Sequence, residues 1–60
     1  MDIDNKFMVA ARGTGAVLIM NPPRGDITVD DALVLAAWLV AIADPLEDKF
    51  PKVLEAVQGT

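Results

Sequence analysis

Residues 32–43 read Ala-Leu-Val-Leu-Ala-Ala-Trp-Leu-Val-Ala-Ile-Ala, a run of twelve residues without one polar side chain. A helix that is apolar on every side has to be buried on every side. A chain of only 60 residues buries about 60% of the surface that it exposes when unfolded, so one copy can hardly enclose this helix. We therefore predict that the chain is an obligate homo-oligomer.

Composition narrows the classes of partner. The net charge is −4 and the five basic residues are scattered along the chain, whereas phosphate binding needs clustered Lys and Arg. We therefore expect no nucleic-acid partner and no anionic membrane surface. The chain has no cysteine, so disulfides cannot stabilise it, which increases the need for oligomerisation.

Residues 6–20 predict a β-hairpin, because two short aliphatic segments flank a glycine-rich turn. With Gly13 and Thr14 as the two turn residues, Val9 would lie opposite Leu18. In the same register Phe7 would lie opposite Met20, and the other face would carry Met8, Ala10, Val17 and Ile19. Both faces are apolar, so the hairpin needs cover on two sides.

Residues 21–27 form a proline-containing loop, and residues 28–43 are predicted to form the central apolar helix. Thr28 is a suitable N-cap, and Asp31 three residues later gives a variant of the capping box. Asp44 and Pro45 are expected to end the helix.

This helix has two kinds of apolar surface at helical spacing. The bulky residues fall on one stripe, which consists of Leu35, Trp38, Leu39 and Ile42. Alanines line the neighbouring faces, where another backbone can approach closely. We expect one side to pack on the hairpin and the other to meet a second subunit. The predicted oligomer interface comprises Met8, Val17, Ile19, Leu33, Ala36, Ala37, Val40 and Ala41.

A second, amphipathic helix is predicted over residues 48–58, with Asp48 as its cap and Pro51 in its first turn. Its apolar face consists of Phe50, Val53, Leu54 and Val57. Residues 1–5 are expected to be a flexible lead. The sequence therefore predicts a single α+β domain of order ββαα.

The side chains that usually carry catalysis are scarce. The chain contains no His, Cys, Ser or Tyr, so we expect no enzyme activity, no catalytic residue and no cofactor. Zinc is excluded for the same reason. Carboxylates cluster at Asp30 with Asp31 and near Asp44, but neither group has the spacing of a calcium loop. We predict no metal site.

The apolar run is too short for a bilayer, which needs about 20 residues. The amino end is acidic where a signal peptide is basic. We therefore expect neither a membrane span nor a signal peptide, and we expect the protein in the cytoplasm.

The residues ahead of the central helix offer one candidate ligand site. Arg24 and Gly25 precede its N-terminus, where free backbone N–H groups attract anions. Arg12, Arg24, Thr28 and Trp38 are the candidate ligand-binding residues if they converge between subunits. Trp38 is also consistent with a role in the core.

Residues 17–44 contain the pair Pro22-Pro23, the lead-in Thr28 to Asp31 and the helical sequence Leu35-Ala36-Ala37-Trp38-Leu39. In these motifs the chain resembles a family of small accessory proteins encoded by tailed bacteriophages. In that family a hydrophobic hairpin and a proline loop precede a similar helix. The resemblance brings no established catalytic motif. It implies expression in the cytoplasm of an infected bacterium and stoichiometric binding against host machinery or defence.

Two functions remain open. The first is a homo-oligomeric binding protein that contacts a host protein or sequesters a small anionic signal of nucleotide type. The alternative is a structural or assembly component of the phage particle.

Overall fold

Four elements follow one another along the chain in the order strand, strand, helix, helix. The structure is a computed structural model that describes residues 1–60. The strands β1 (Val9–Ala11) and β2 (Val17–Ile19) form an antiparallel pair, and they precede the helices α1 (Val29–Ala43) and α2 (Phe50–Gln58). This confirms the predicted α+β fold of order ββαα, whereas the oligomeric state stays a prediction.

The hairpin turns through three residues, Gly13, Thr14 and Gly15, instead of the two that we predicted. The backbone N–H of Arg12 donates to the carbonyl of Ala16 at 2.8 Å and thereby closes the loop. Gly15 has a φ of 81°, and three-residue hairpin loops commonly end on a residue in this left-handed region. Glycine adopts that conformation without strain, which explains the longer loop.

The extra loop residue shifts the strand register by one position. Val9 lies opposite Ile19, and Ala11 lies opposite Val17. The predicted pairing of Val9 with Leu18 is therefore wrong. A shift by one residue changes which side chains share a face of the sheet. Val17 and Ile19 consequently lie on the same face as Val9, not on the opposite one.

Backbone pairing continues past the strands at Met8. The N–H of Met20 donates to the carbonyl of Met8 at 3.2 Å, so the predicted pairing of Phe7 with Met20 is also wrong. The Asn5 side chain closes the preceding turn, because it accepts from the N–H of Val9 at 2.9 Å and donates to the Val9 carbonyl at 3.0 Å. Met8 has a φ of 54°, a left-handed conformation that is uncommon for a non-glycine residue.

The core is small and lies where α1 packs on the two strands. Its buried apolar residues are Phe7, Val9 and Val34. Val34 is 4% exposed, although it lies outside the predicted bulky stripe. The stripe itself is half-buried and comprises Leu35, Trp38, Leu39 and Ile42. The hairpin therefore covers only one side of α1.

The ends of α1 confirm the predicted capping. The Thr28 hydroxyl oxygen accepts a 3.0 Å hydrogen bond from the backbone N–H of Asp31, and Asp44 is the C-cap. Lys6 Nζ lies 2.9 Å from Asp31 Oδ1, which links the start of the hairpin to the start of the helix. The hydrogen bond and the negative charge of Asp31 raise the pKa of Lys6.

α2 is capped by a residue that we did not predict. Its N-cap position is Lys49, whose side chain makes no capping hydrogen bond. Asp44 Oδ2 instead accepts from the backbone N–H of Lys49 at 3.0 Å and of Phe50 at 2.7 Å. The prediction of Asp48 as the cap is wrong, because a carboxylate at the end of α1 already satisfies these two amides.

Residues 1–5, predicted as a flexible lead, make hydrogen bonds to the folded part of the chain. The Trp38 indole N–H donates to the carbonyl of Ile3 at 2.9 Å, and Asn5 closes the turn before β1. The flexibility of the lead stays a prediction.

Candidate functional site

The side of α1 that faces away from the hairpin is apolar and open to solvent. Leu33 is 56% exposed. Ala36, Ala37 and Ala41 are exposed as well, and Val40 is half-buried. These residues lie on one side of the helix at α-helical spacing. They are the five α1 positions that the sequence assigned to an oligomer interface, and that role stays a prediction.

The apolar stripe of α2 is also uncovered. Pro51 lies in the first turn, where its missing N–H has no cost. The stripe is formed by Phe50, Val53, Leu54 and Val57, all of which are exposed. An amphipathic helix normally buries such a stripe on its own core. Here α2 contacts the two strands and α1 too little to bury its apolar stripe.

These two surfaces meet in a groove of about 640 Å³, which we call the α1–α2 groove. Its floor is the exposed α1 face described above, and Phe50 and Leu54 of α2 form its wall. Asp44 and Glu47 lie on its lining, which includes no basic residue. The groove therefore suits an apolar surface that carries positive charge at its margin.

A second crevice flanks α2, because the rest of the chain leaves much of this helix exposed. It measures about 380 Å³ and is lined by Leu39 and Ala43 of α1 together with Phe50 and Val53. Phe50 lines both the groove and the crevice, so α2 approaches α1 at its amino end. Val57 is 63% exposed, so the carboxyl end of α2 stands free of the core.

Asp44 holds this arrangement together. Asp44 is buried, and its carboxylate accepts hydrogen bonds from the backbone N–H groups of Lys49 and Phe50. The hydrogen bond from the backbone N–H of Phe50 is the main cause that lowers the pKa of Asp44; burial opposes it, and the hydrogen bond from the backbone N–H of Lys49 acts in the same direction as that from Phe50. Asp44 is therefore charged at neutral pH, and it fixes where α2 leaves α1.

The hairpin residues assigned to the interface lie outside the groove. Met8 and Val17 are exposed, and Ile19 is half-buried. None of the three lines the α1–α2 groove. Because Val17 and Ile19 share a face with the buried Val9, only part of this set is open to a second subunit, and its interface role stays a prediction.

The four residues proposed for an anion site do not share a cavity within one chain. Arg12 and Arg24 are exposed and line none of the cavities. Thr28 already accepts a backbone N–H as the α1 cap. Trp38 donates to Ile3 and lines a separate apolar pocket of about 290 Å³. A site built from all four residues would require a second copy of the chain.

Acidic side chains do not gather into a metal centre. No group of three or more His, Cys, Asp or Glu side chains is placed to hold a metal ion. Asp31 is paired with Lys6.

Neither α1 nor α2 has the length and apolar character needed to cross a bilayer.

Comparisons with protein-family models, curated proteins and solved structures find no match to this chain. The similarity to phage accessory proteins therefore stays an expectation.

Sequence reasoning missed both groove residues that α2 supplies, Phe50 and Leu54, because their spacing suggested an ordinary core-facing stripe. A signal was available in the chain length. A domain of 60 residues that already has to cover an apolar central helix has little surface left to bury a second stripe.

Proposed function

We propose that this chain is a non-enzymatic, self-associating binding protein that works by stoichiometric contact. The observation that carries the proposal is the distribution of apolar side chains. Only three apolar residues are buried, whereas thirteen large apolar side chains are exposed. Large apolar patches on small proteins mark interaction surfaces.

The total surface area supports self-association. The accessible surface is 4841 Å², whereas a compact monomer of 6.4 kDa exposes about 3,800 Å². The excess of about 1,000 Å² exceeds the roughly 800 Å² that each partner contributes to a standard interface. The radius of gyration of 12.3 Å likewise exceeds the roughly 10.4 Å of a compact 60-residue domain.

A proteinaceous target in a host cell, as the phage-like motifs imply, is favoured over a small anion. Exposed apolar side chains outside the α1–α2 groove, among them Met8, Met20 and Val29, form a surface that fits a protein better than a nucleotide. An anion would depend on Arg12 and Arg24 converging between copies.

The alternative role, as a structural or assembly component of a phage particle, draws on the same uncovered surfaces. Two different apolar faces that contact each other head to tail in successive copies generate a ring when the rotation between copies closes. Absence of the protein from purified particles would contradict this role.

Matched substitutions at two side chains of similar exposure test whether the α1–α2 groove mediates self-association. Leu33 is 56% exposed in the groove, and Met20 is 54% exposed outside every cavity. We expect Leu33→Glu to dissociate the oligomer in sedimentation equilibrium and Met20→Glu to leave it associated. A single-chain mass for the unsubstituted protein at micromolar concentration would overturn the proposal.

The target class is tested by the double substitution Arg12→Ala with Arg24→Ala. If the target is a small anion, protein from a bacterial host carries a few hundred daltons of extra mass in native mass spectrometry, and the double variant loses it. Replacement of both residues by Lys keeps the charge and serves as the control. Unsubstituted protein without extra mass removes the small-anion version.

A further inference from the structure

We infer that the occupant of the α1–α2 groove is helix α2 of a second copy. In this arrangement, which we call the helix exchange, each chain keeps the start of its own α2 beside α1 and inserts the free end of α2 into the groove of the other chain, about a two-fold axis. The inference rests on the self-association proposed above and names the surfaces that carry it.

Two unpartnered apolar surfaces within one chain favour this exchange. The first is the groove, whose floor is the α1 face at Leu33, Ala37 and Ala41. The second is the part of the α2 stripe outside the groove, at Val53 and Val57. Under two-fold symmetry each copy offers both surfaces, so both grooves and both stripes are covered at once.

The stripe that enters the groove carries no charge. The groove lining holds the carboxylates of Asp44 and Glu47 and no cation. The two charged residues of α2, Lys52 and Glu55, lie at helical positions away from the stripe. The inserted stripe therefore places no carboxylate against the acidic margin of the groove, whereas an acidic segment would place like charges together.

The size of the groove floor suits a helix. Ala36, Ala37 and Ala41 have small side chains, and small side chains at a contact allow helix axes to approach to about 8 Å.

The accessible surface of each chain exceeds that of a compact monomer of the same mass by about 1,000 Å². This surplus is enough for one standard interface. The exchange therefore accounts for the surplus without a further partner.

The first test compares two adjacent positions near the end of α2 by sedimentation equilibrium. Val57 belongs to the stripe, whereas Gln58 is the next residue along. We expect the unsubstituted protein to have twice the 6.4 kDa chain mass. Val57→Glu should raise the dimer dissociation constant at least tenfold, and Gln58→Glu should change it less than twofold.

Each outcome of this comparison has a distinct meaning. A dimer that Val57→Glu leaves intact overturns the helix exchange while self-association stands. An unsubstituted protein that is monomeric at micromolar concentration overturns both the exchange and the proposed function. Circular dichroism of Val57→Glu establishes that the variant is folded, and the exposure of Val57 favours this.

The second test uses the absence of cysteine from the chain. Chains carrying Val57→Cys are mixed with chains carrying Cys at Leu33, Ala37 or Ala41 and then oxidised. Because a disulfide needs Cα atoms within about 7 Å, we expect a mixed disulfide with at least one of the three positions. Glu55→Cys, on the other side of α2, is the control and should form none. The absence of every Val57 disulfide overturns the exchange.

Discussion

The carboxylate of Asp44, the C-cap of α1, accepts a 2.7 Å hydrogen bond from the backbone N–H of Phe50, the first residue of α2. One side chain thus ends one helix and begins the next. Free N–H groups at a helix start are stabilised by such acceptors. The position of α2, and with it the α1–α2 groove, depends on this contact.

We predict that Asp44→Ala unwinds α2 from its amino end. α1 has fifteen residues and α2 has nine, so complete loss of α2 would remove more than a third of the helical signal in circular dichroism. Asp26→Ala removes the same charge from an exposed loop residue and should leave the signal unchanged. Equal spectra for the two variants would show that Asp44 does not hold α2.

The same contact predicts a dependence on pH. Because the pKa of Asp44 is lowered in the folded chain, its contribution to stability is present above its unfolded pKa and is lost as the pH falls through the folded value. We expect the amide proton shift of Phe50 to hold steady down to the ordinary pKa of 3.8 and to change below it. Asp44→Ala should abolish the change. A midpoint above 3.8 would contradict the lowered pKa.

The parts of the fold that were predictable are those fixed by local chemistry. Thr28 and Asp31 form the predicted cap, and the Asp44-Pro45 pair ends α1 as expected. These features need only a few neighbouring residues, since a cap satisfies amides within one helical turn.

This cap predicts a measurable loss of stability. Thr28→Ala should lower the free energy of unfolding by about 1 kcal/mol, because the Asp31 N–H loses its acceptor. Thr14→Ala in the exposed hairpin loop removes the same hydroxyl and should cost under about 0.5 kcal/mol. Urea unfolding measures both at one protein concentration, since association shifts apparent stability. Equal losses would contradict the capping role.

The loop of the hairpin gives a further prediction. Gly15 has a φ of 81°, whereas Gly13 lies outside the left-handed region, and neither has a heavy atom near an added Cβ. Gly15→Ala should therefore destabilise the chain by about 1 kcal/mol more than Gly13→Ala, through backbone strain alone. Urea unfolding of the two variants checks this. Indistinguishable midpoints would contradict the three-residue loop.

The register and the site were harder to predict for two different reasons. Gly13, Thr14 and Gly15 allow a loop of two or three residues, and the single extra residue moves Ile19 to the face of Val9. The groove depends on where α2 leaves α1, which follows from the contact of Asp44 with an amide six residues later. No periodic pattern encodes such a contact.

The central claim is that this chain is a self-associating protein, and native mass spectrometry tests it most directly. Protein purified gently from a bacterial host is measured at micromolar concentration. We predict a mass that is an even multiple of the 6.4 kDa chain mass, with two chains as the smallest unit. A spectrum that contains only the single-chain mass would contradict it.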